Sequence, residues 1–257
     1  MACKFEREGP VGILTLSVPD RRNALSTAIV ESAFECLGRS EALEARAIVV
    51  TGEGSTFCAG ADIKDLLQAG WLEASSEHRS PIDLFQALVE APQIVIAAVN
   101  GPAFGGGFEL VLACDLAIAS EEAVFSVPEL NHGVMPNSAL SLLRPIVGER
   151  VAFEMILSGR QVSAYEAGER GIVNAVVPRR HVLSAAIERA REMVTRYPPG
   201  ALRATKRSYR NHAPIDWTLI RQSLLSLPRQ EWEEGLGAFL ERRKPDYERF
   251  WRTYERR

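Results

Sequence analysis

Two carboxylates and a run of three glycines carry the chemistry that can be read in this chain. Glu109 ends the stretch Gly105-Gly106-Gly107-Phe108-Glu109, and Glu129 ends Ser126-Val127-Pro128-Glu129, twenty residues further on. A glycine run lets backbone approach a ligand with its N–H groups uncovered. If a helix starts there, those groups lie at its positive end, where a developing oxyanion is stabilised. One carboxylate just beyond such a donor, with a second in reach, can act as general base and general acid. The combination points to proton transfer beside a polarised carbonyl. It does not point to phosphate, because the glycines fit neither Gly-x-Gly-x-x-Gly nor a Gly-Lys-Ser/Thr loop.

A second glycine turn, Thr51-Gly52-Glu53-Gly54-Ser55-Thr56-Phe57-Cys58-Ala59-Gly60-Ala61-Asp62, follows the apolar run Ala47-Ile48-Val49-Val50. The triple glycine follows a similar run, Ile94-Val95-Ile96-Ala97-Ala98-Val99. Both runs read as buried strands. Two strand-to-glycine-to-helix junctions that face each other can each contribute one N–H to an oxyanion hole.

The elements needed to position these groups follow from periodicity. Gly12 to Val18 alternates as a strand, and Ala28 to Leu37 has Ile29, Ala33 and Leu37 at helical spacing. Helices are expected near Asp62 to Ala69 and Pro81 to Val89, with a further strand from Asp115 to Ala119. Strands separated by helices predict α/β architecture with largely parallel pairing. Residues Gly70 to Ser80 read as a mobile loop, and Glu129 as part of a loop. After Ser138 the strands nearly stop. Ser163-Ala164-Tyr165-Glu166 has the capping-box pattern, and Val182 to Arg196, Gly200 to Tyr209 and Trp217 to Leu240 read as helical, broken at Pro198-Pro199 and Pro214.

The chain has 257 residues, 46% of them apolar and 25% charged, with a net charge of −3. That is an ordinary globular balance and gives no reason to expect nucleic acid or an acidic membrane as partner. Four scattered cysteines, without zinc spacing, predict free thiols in a reducing compartment. The amino terminus lacks signal-peptide and transit-peptide character, and no window has the apolar length of a membrane span. A cytoplasmic protein is expected. Glu129 and His132 form one Glu-x-x-His element without a second one, so no metal is expected and His132 reads as a pocket or loop residue. A Gly-x-Ser-x-Gly elbow is absent.

The chain resembles the enoyl-CoA hydratase/isomerase family, the crotonases. The resemblance rests on Arg22-Asn23-Ala24-Leu25-Ser26, Phe57 to Lys64, Ala97 to Leu110 and Cys114-Asp115-Leu116. Further matches are Leu157-Ser158-Gly159-Arg160, Ala167 to Asn174 and Phe239 to Pro245. It implies a spiral core of repeated β-β-α units over residues 1–195, and a helical region, 196–257, that mediates trimer or hexamer contacts. It implies an acyl-CoA thioester as substrate, with CoA entering as part of that substrate and no separate cofactor. It assigns acid/base roles to Glu109 and Glu129, and the oxyanion hole to the N–H groups of Ala61 and Gly106. CoA contacts fall to Arg22, Ala24, Ala59 and Lys64, with Lys244 supplied by a neighbouring subunit.

One departure stands out. Hydratases of the family commonly read Gly-x-x-Pro-Gly-x-Gly-Gly-Thr after the second glutamate, whereas this chain reads Gly133-Val134-Met135-Pro136-Asn137-Ser138-Ala139-Leu140-Ser141. Asn137 replaces a glycine that packs near the catalytic water, which bears on water placement and on the shape of the acyl pocket. Three activities stay open: hydration, double-bond isomerisation using Glu129, and acyl-CoA binding with little turnover.

Overall fold

The computed structural model describes residues 1–68, 71, 78–211, 215–247 and 249–250. Its strands, in chain order, are β1 (Cys3–Glu8), β2 (Val11–Leu16), β3 (Ala47–Gly52), β4 (Ile94–Val99) and β5 (Ala103–Phe104). They continue with β6 (Leu116–Ser120), β7 (Val124–Ser126), β8 (Val162–Ser163) and β9 (Ala175–Val177). The large sheet has the order β1-β2-β3-β4-β6-β9, parallel except for the β1–β2 pair. A small sheet has the order β5-β7-β8.

Each turn of the chain lays one strand on the large sheet, a shorter one on the small sheet, and then a helix. β4, β5 and the helix Gly106–Ala113 make one such unit; β6, β7 and the helix Asn137–Leu142 make the next. The earlier turns have only single bridges in place of the short strand, Leu25 to Ala61 and Cys58 to Ala103. The result is a spiral of β-β-α units, and the site residues lie where the short strands give way to helices.

Apolar alternation sets the two faces of the large sheet. Val11, Ile13, Val49, Ile96 and Ile118 turn toward the helix Val182–Arg196, which buries Val182, Ala186, Ile187, Ala190 and Val194 at helical spacing. Leu14, Leu16, Ile48, Val50 and Val95 turn toward the main core. With both faces covered, the central strands read as continuous apolar runs rather than alternating ones. The helix Gly106–Ala113 is buried along its whole length, so it has no polar face. Its Phe108 packs on Phe125 of β7 with ring centroids 5.3 Å apart.

Buried charge ties the carboxy-terminal helices to this core. Lys206, in the helix Pro199–Asn211, pairs with Asp115 at 2.7 Å and donates to the carbonyls of Leu88 and Gln93. Asp115 also accepts from Val95 N, at the start of β4. Removing Lys206 would leave Asp115 with less compensation at a site from which water is largely excluded.

Several expectations are corrected. Trp217 to Leu240 is two helices, Trp217–Leu225 and Arg229–Leu240, because Pro228 lacks an N–H and its ring clashes with the preceding turn. Trp217, Ile220, Trp232 and Leu236 are buried in the chain's own core. Among the side chains described there, Leu219, Leu225, Phe239 and Leu240 still lack cover. Ser163 does cap a helix, accepting from Glu166 N at 3.2 Å. The reciprocal bond is replaced by Arg160 and Arg170, which grip the Glu166 carboxylate and hold it down at about 2. The complete capping box is at Ser80 and Asp83, opening the helix Pro81–Glu90. Glu129 starts a short 3₁₀ helix, Glu129–His132, rather than lying in a loop. Most of the expected 70–80 loop, and Pro214, lie outside the described residues.

Candidate active site

Two peptide N–H groups are left uncommitted by the way their neighbours are pinned. Leu25 N donates to Gly60 O at 2.7 Å and Leu25 O accepts from Asp62 N at 3.0 Å. That clip takes the groups on either side of Ala61 and, among the described residues, leaves Ala61 N without a partner. Across from it, Gly105 N donates to Ser126 O, and Gly105 O accepts from Phe108 N and Glu109 N. Gly106 N is the first N–H of the helix and likewise has no partner among the described residues. The two donors face each other closely: a methyl added at Gly106 would lie 3.5 Å from Ala61 N, and one at Gly60 would lie 3.5 Å from Gly106 N.

The glycines are needed at these positions for different reasons. Gly105 has φ +53°, and a Cβ there would lie 3.0 Å from Glu129 Oε1. Gly107 lies against the carbonyl of Cys58, leaving no room for a side chain. The opposite turn is held by Asn23, which is fully buried with φ +53°. Its Oδ1 accepts from Val18 N, and its Nδ2 donates to the carbonyls of Glu53 and Thr56. In the sequence Asn23 is only one member of the Arg22–Ser26 match; the signal for its role is an Asn, a residue tolerant of left-handed backbone, just before Ala24-Leu25.

The two carboxylates have opposite surroundings. Glu109 Oε1 accepts from Ser138 N and Ala139 N, both at 2.8 Å. Both lie in the first turn of the helix Asn137–Leu142, whose otherwise unpaired N–H groups Glu109 thereby caps. Burial raises the Glu109 carboxyl to about 7, against the pull of those two N–H groups. Among the described residues, neither oxygen of Glu129 has a hydrogen-bond partner. Burial, and then the charge of Glu109, push it well above the ordinary 4.5. Both groups hold their proton more tightly folded than unfolded. They therefore take stability away as pH rises above about 4.5, Glu109 through about 7.

A cavity of about 540 Å³ brings most of the expected residues together. Glu109, Glu129, Ala61 and Gly106 line it, as do Arg22, Ala24, Ala59 and Lys64. Leu66, Ile82, Phe85 and Val134 make an apolar wall. Lys244 is exposed and is not part of this wall. Leu236, Phe239 and Leu240, by contrast, close over the chain's own cavity, a placement that helical spacing could not reveal. His132 also lines it, its ring edge-on to Phe239 at 4.9 Å.

Comparison with known proteins matches residues 6–250 to the family model described as enoyl-CoA hydratase/isomerase. The chain belongs to the enoyl-CoA hydratase/isomerase family. It is 34% identical to the 2,3-dehydroadipyl-CoA hydratase of Escherichia coli, over 94% of this chain and 96% of that one. It is 32% identical to the mitochondrial enoyl-CoA hydratase of Pongo abelii, over 96% of this chain and 87% of that one. Among solved structures, carnitinyl-CoA hydratase from Mycobacterium avium superposes with a TM-score of 0.81 at 34% identity, covering 95% and 97% of the two chains. The spiral described above is thus the crotonase fold, and the chain is an enzyme of this hydratase/isomerase family.

Proposed function

We propose that this enzyme adds water across, or removes it from, the α,β-double bond of an acyl-CoA thioester. The observation that carries the reading is the asymmetry of two buried carboxylates beside a pair of uncommitted N–H groups. The Ala61 and Gly106 N–H groups take the thioester oxygen and stabilise the enolate that forms on it. Glu109, whose anion is favoured by two N–H bonds, accepts a proton from water as the water oxygen bonds to the β-carbon. Glu129, kept protonated by burial and by its neighbour's charge, delivers a proton to the α-carbon. The cycle ends with the proton on Glu109, and exchange with solvent resets the pair.

In this reading CoA is carried by the substrate and no separate cofactor takes part. Arg22 and Lys64 face its phosphates, and Ala24 and Ala59 offer backbone contacts. Lys244, exposed and away from its own cavity, serves a neighbouring protomer. A second reading, double-bond isomerisation, draws support from Glu129 alone: a carboxyl with no hydrogen-bond partner can carry a proton from the α- to the γ-carbon or back. Incubation with crotonyl-CoA separates the two. Loss of the conjugated thioester absorbance is expected from a hydratase, and an unchanged absorbance at high enzyme concentration would refute the hydratase reading.

A homotrimer or a hexamer is part of the same proposal. Its support is the exposed apolar residues Phe153, Leu157, Leu219 and Phe239, which a lone chain leaves in water. Light scattering should give a mass three or six times the 28.3 kDa of the chain; a stable, active monomer would refute it. No helix of the described residues is long and apolar enough to cross a membrane. Free, buried cysteines suit the cytoplasmic setting we assign, with no nucleic acid or membrane as partner.

A further inference from the structure

We propose that Asn137 and Trp71 form a polar subsite in the acyl pocket, and that the preferred acyl group carries a hydroxyl besides any the reaction itself forms. The inference rests on the acyl-CoA reading above only in taking a CoA thioester as the occupant of the cavity. Both side chains line that cavity, and Asn137 and Trp71 are only 7% and 5% exposed. Asn137 Oδ1 and Trp71 Nε1 are buried without any hydrogen-bond partner among the described residues. An acceptor and a donor left unanswered in an apolar wall are costly unless a ligand or water answers them. The surrounding Leu66, Ile82, Phe85 and Val134 have no side-chain group that can.

The chemistry of the missing partner can be narrowed. Trp71 can only donate, while the Asn137 amide offers one acceptor and one donor whichever way it is turned. A hydroxyl answers both, since it donates once and accepts twice. A carboxylate can only accept, and it would share the cavity with Glu109 and Glu129. The cations in the wall do not favour it here: Arg21 is paired with Asp62 at 3.0 Å, and Arg22 and Lys64 flank the segments of Ala24 and Ala61. Asp20, also in the wall, would repel a carboxylate, and burial keeps His132 neutral more readily than usual. Asn137 also opens the helix whose next two N–H groups hold Glu109. Its backbone is therefore fixed next to the residues that hold Glu109, which places the subsite on the acid-pair side of the acyl pocket.

Binding of saturated thioesters tests this without relying on turnover. Calorimetry on the full chain should show 4-hydroxybutyryl-CoA binding about tenfold more tightly than butyryl-CoA, the worth of one good hydrogen bond. Succinyl-CoA should bind more weakly than the hydroxyl compound. Asn137→Gly and Trp71→Phe should each erase most of that preference, read as the ratio of the two affinities within each variant, with a melting curve to report that the variants are folded. Equal affinities in the unchanged protein, or a preference that survives both substitutions, would overturn the inference. Turnover of crotonyl-CoA, measured in parallel, decides the hydratase reading separately, because the binding ratio stands or falls whatever that assay gives.

Discussion

Glu129→Gln should lower kcat by roughly 10²–10⁴-fold, the usual contribution of a positioned general acid or base. The substitution keeps the shape of a side chain that sits against Gly105, where a Cβ would lie only 3.0 Å from Glu129 Oε1. It removes the one thing the site needs from this position, a proton that can leave. Neither carboxylate oxygen has a hydrogen-bond partner among the described residues, so no bond to them is broken. Acyl-CoA affinity should stay within several-fold, and the thermal midpoint should not fall. Rapid-quench or absorbance kinetics on crotonyl-CoA, alongside a melting curve, check this. A folded variant with near-normal turnover would remove Glu129 from the mechanism under both the hydratase and the isomerase reading.

How much of this site can be read from sequence depends on what each residue contributes. Glu109, Glu129 and the glycines are legible because the chemistry and the close approach restrict the residue type. The main strands and helices are legible because the faces they bury impose a period, as in Ile94–Val99 and Val182–Arg196. Contributions made by backbone are not. The Ser138 and Ala139 N–H groups that hold Glu109 would be present with almost any residues there, so their sequence gives no hint. The return of Leu236, Phe239 and Leu240 onto the chain's own cavity is tertiary, set by Pro228 and by packing that periodicity does not encode. The orphaned amide of Asn137 falls between these cases. Its departure from the family pattern is visible in the sequence, but its burial and lack of a partner are visible only in the fold.

Glu109→Gln is expected to separate the two chemistries and to move the pH profile in a defined direction. The amide oxygen can still accept from Ser138 N and Ala139 N, so the start of the helix Asn137–Leu142 should survive. What is lost is the base. A hydratase should fall by roughly 10²–10⁴-fold, whereas an isomerase working through Glu129 should keep a substantial part of its rate. In the unchanged enzyme the hydratase reading needs Glu109 ionised and Glu129 protonated. Activity should therefore rise with pH through about 7, where Glu109 loses its proton, and fall again at higher pH as Glu129 loses its own. These limbs belong to the pair as a coupled unit. Part of what raises Glu129 is the charge of Glu109. Removing that charge should shift the alkaline limb of the residual activity to lower pH and abolish the acid limb. Measuring kcat/KM against pH for both proteins decides the matter. An alkaline limb that stays in place would mean that the two carboxylates do not act on each other, and full hydratase activity in the variant would end the two-carboxylate mechanism.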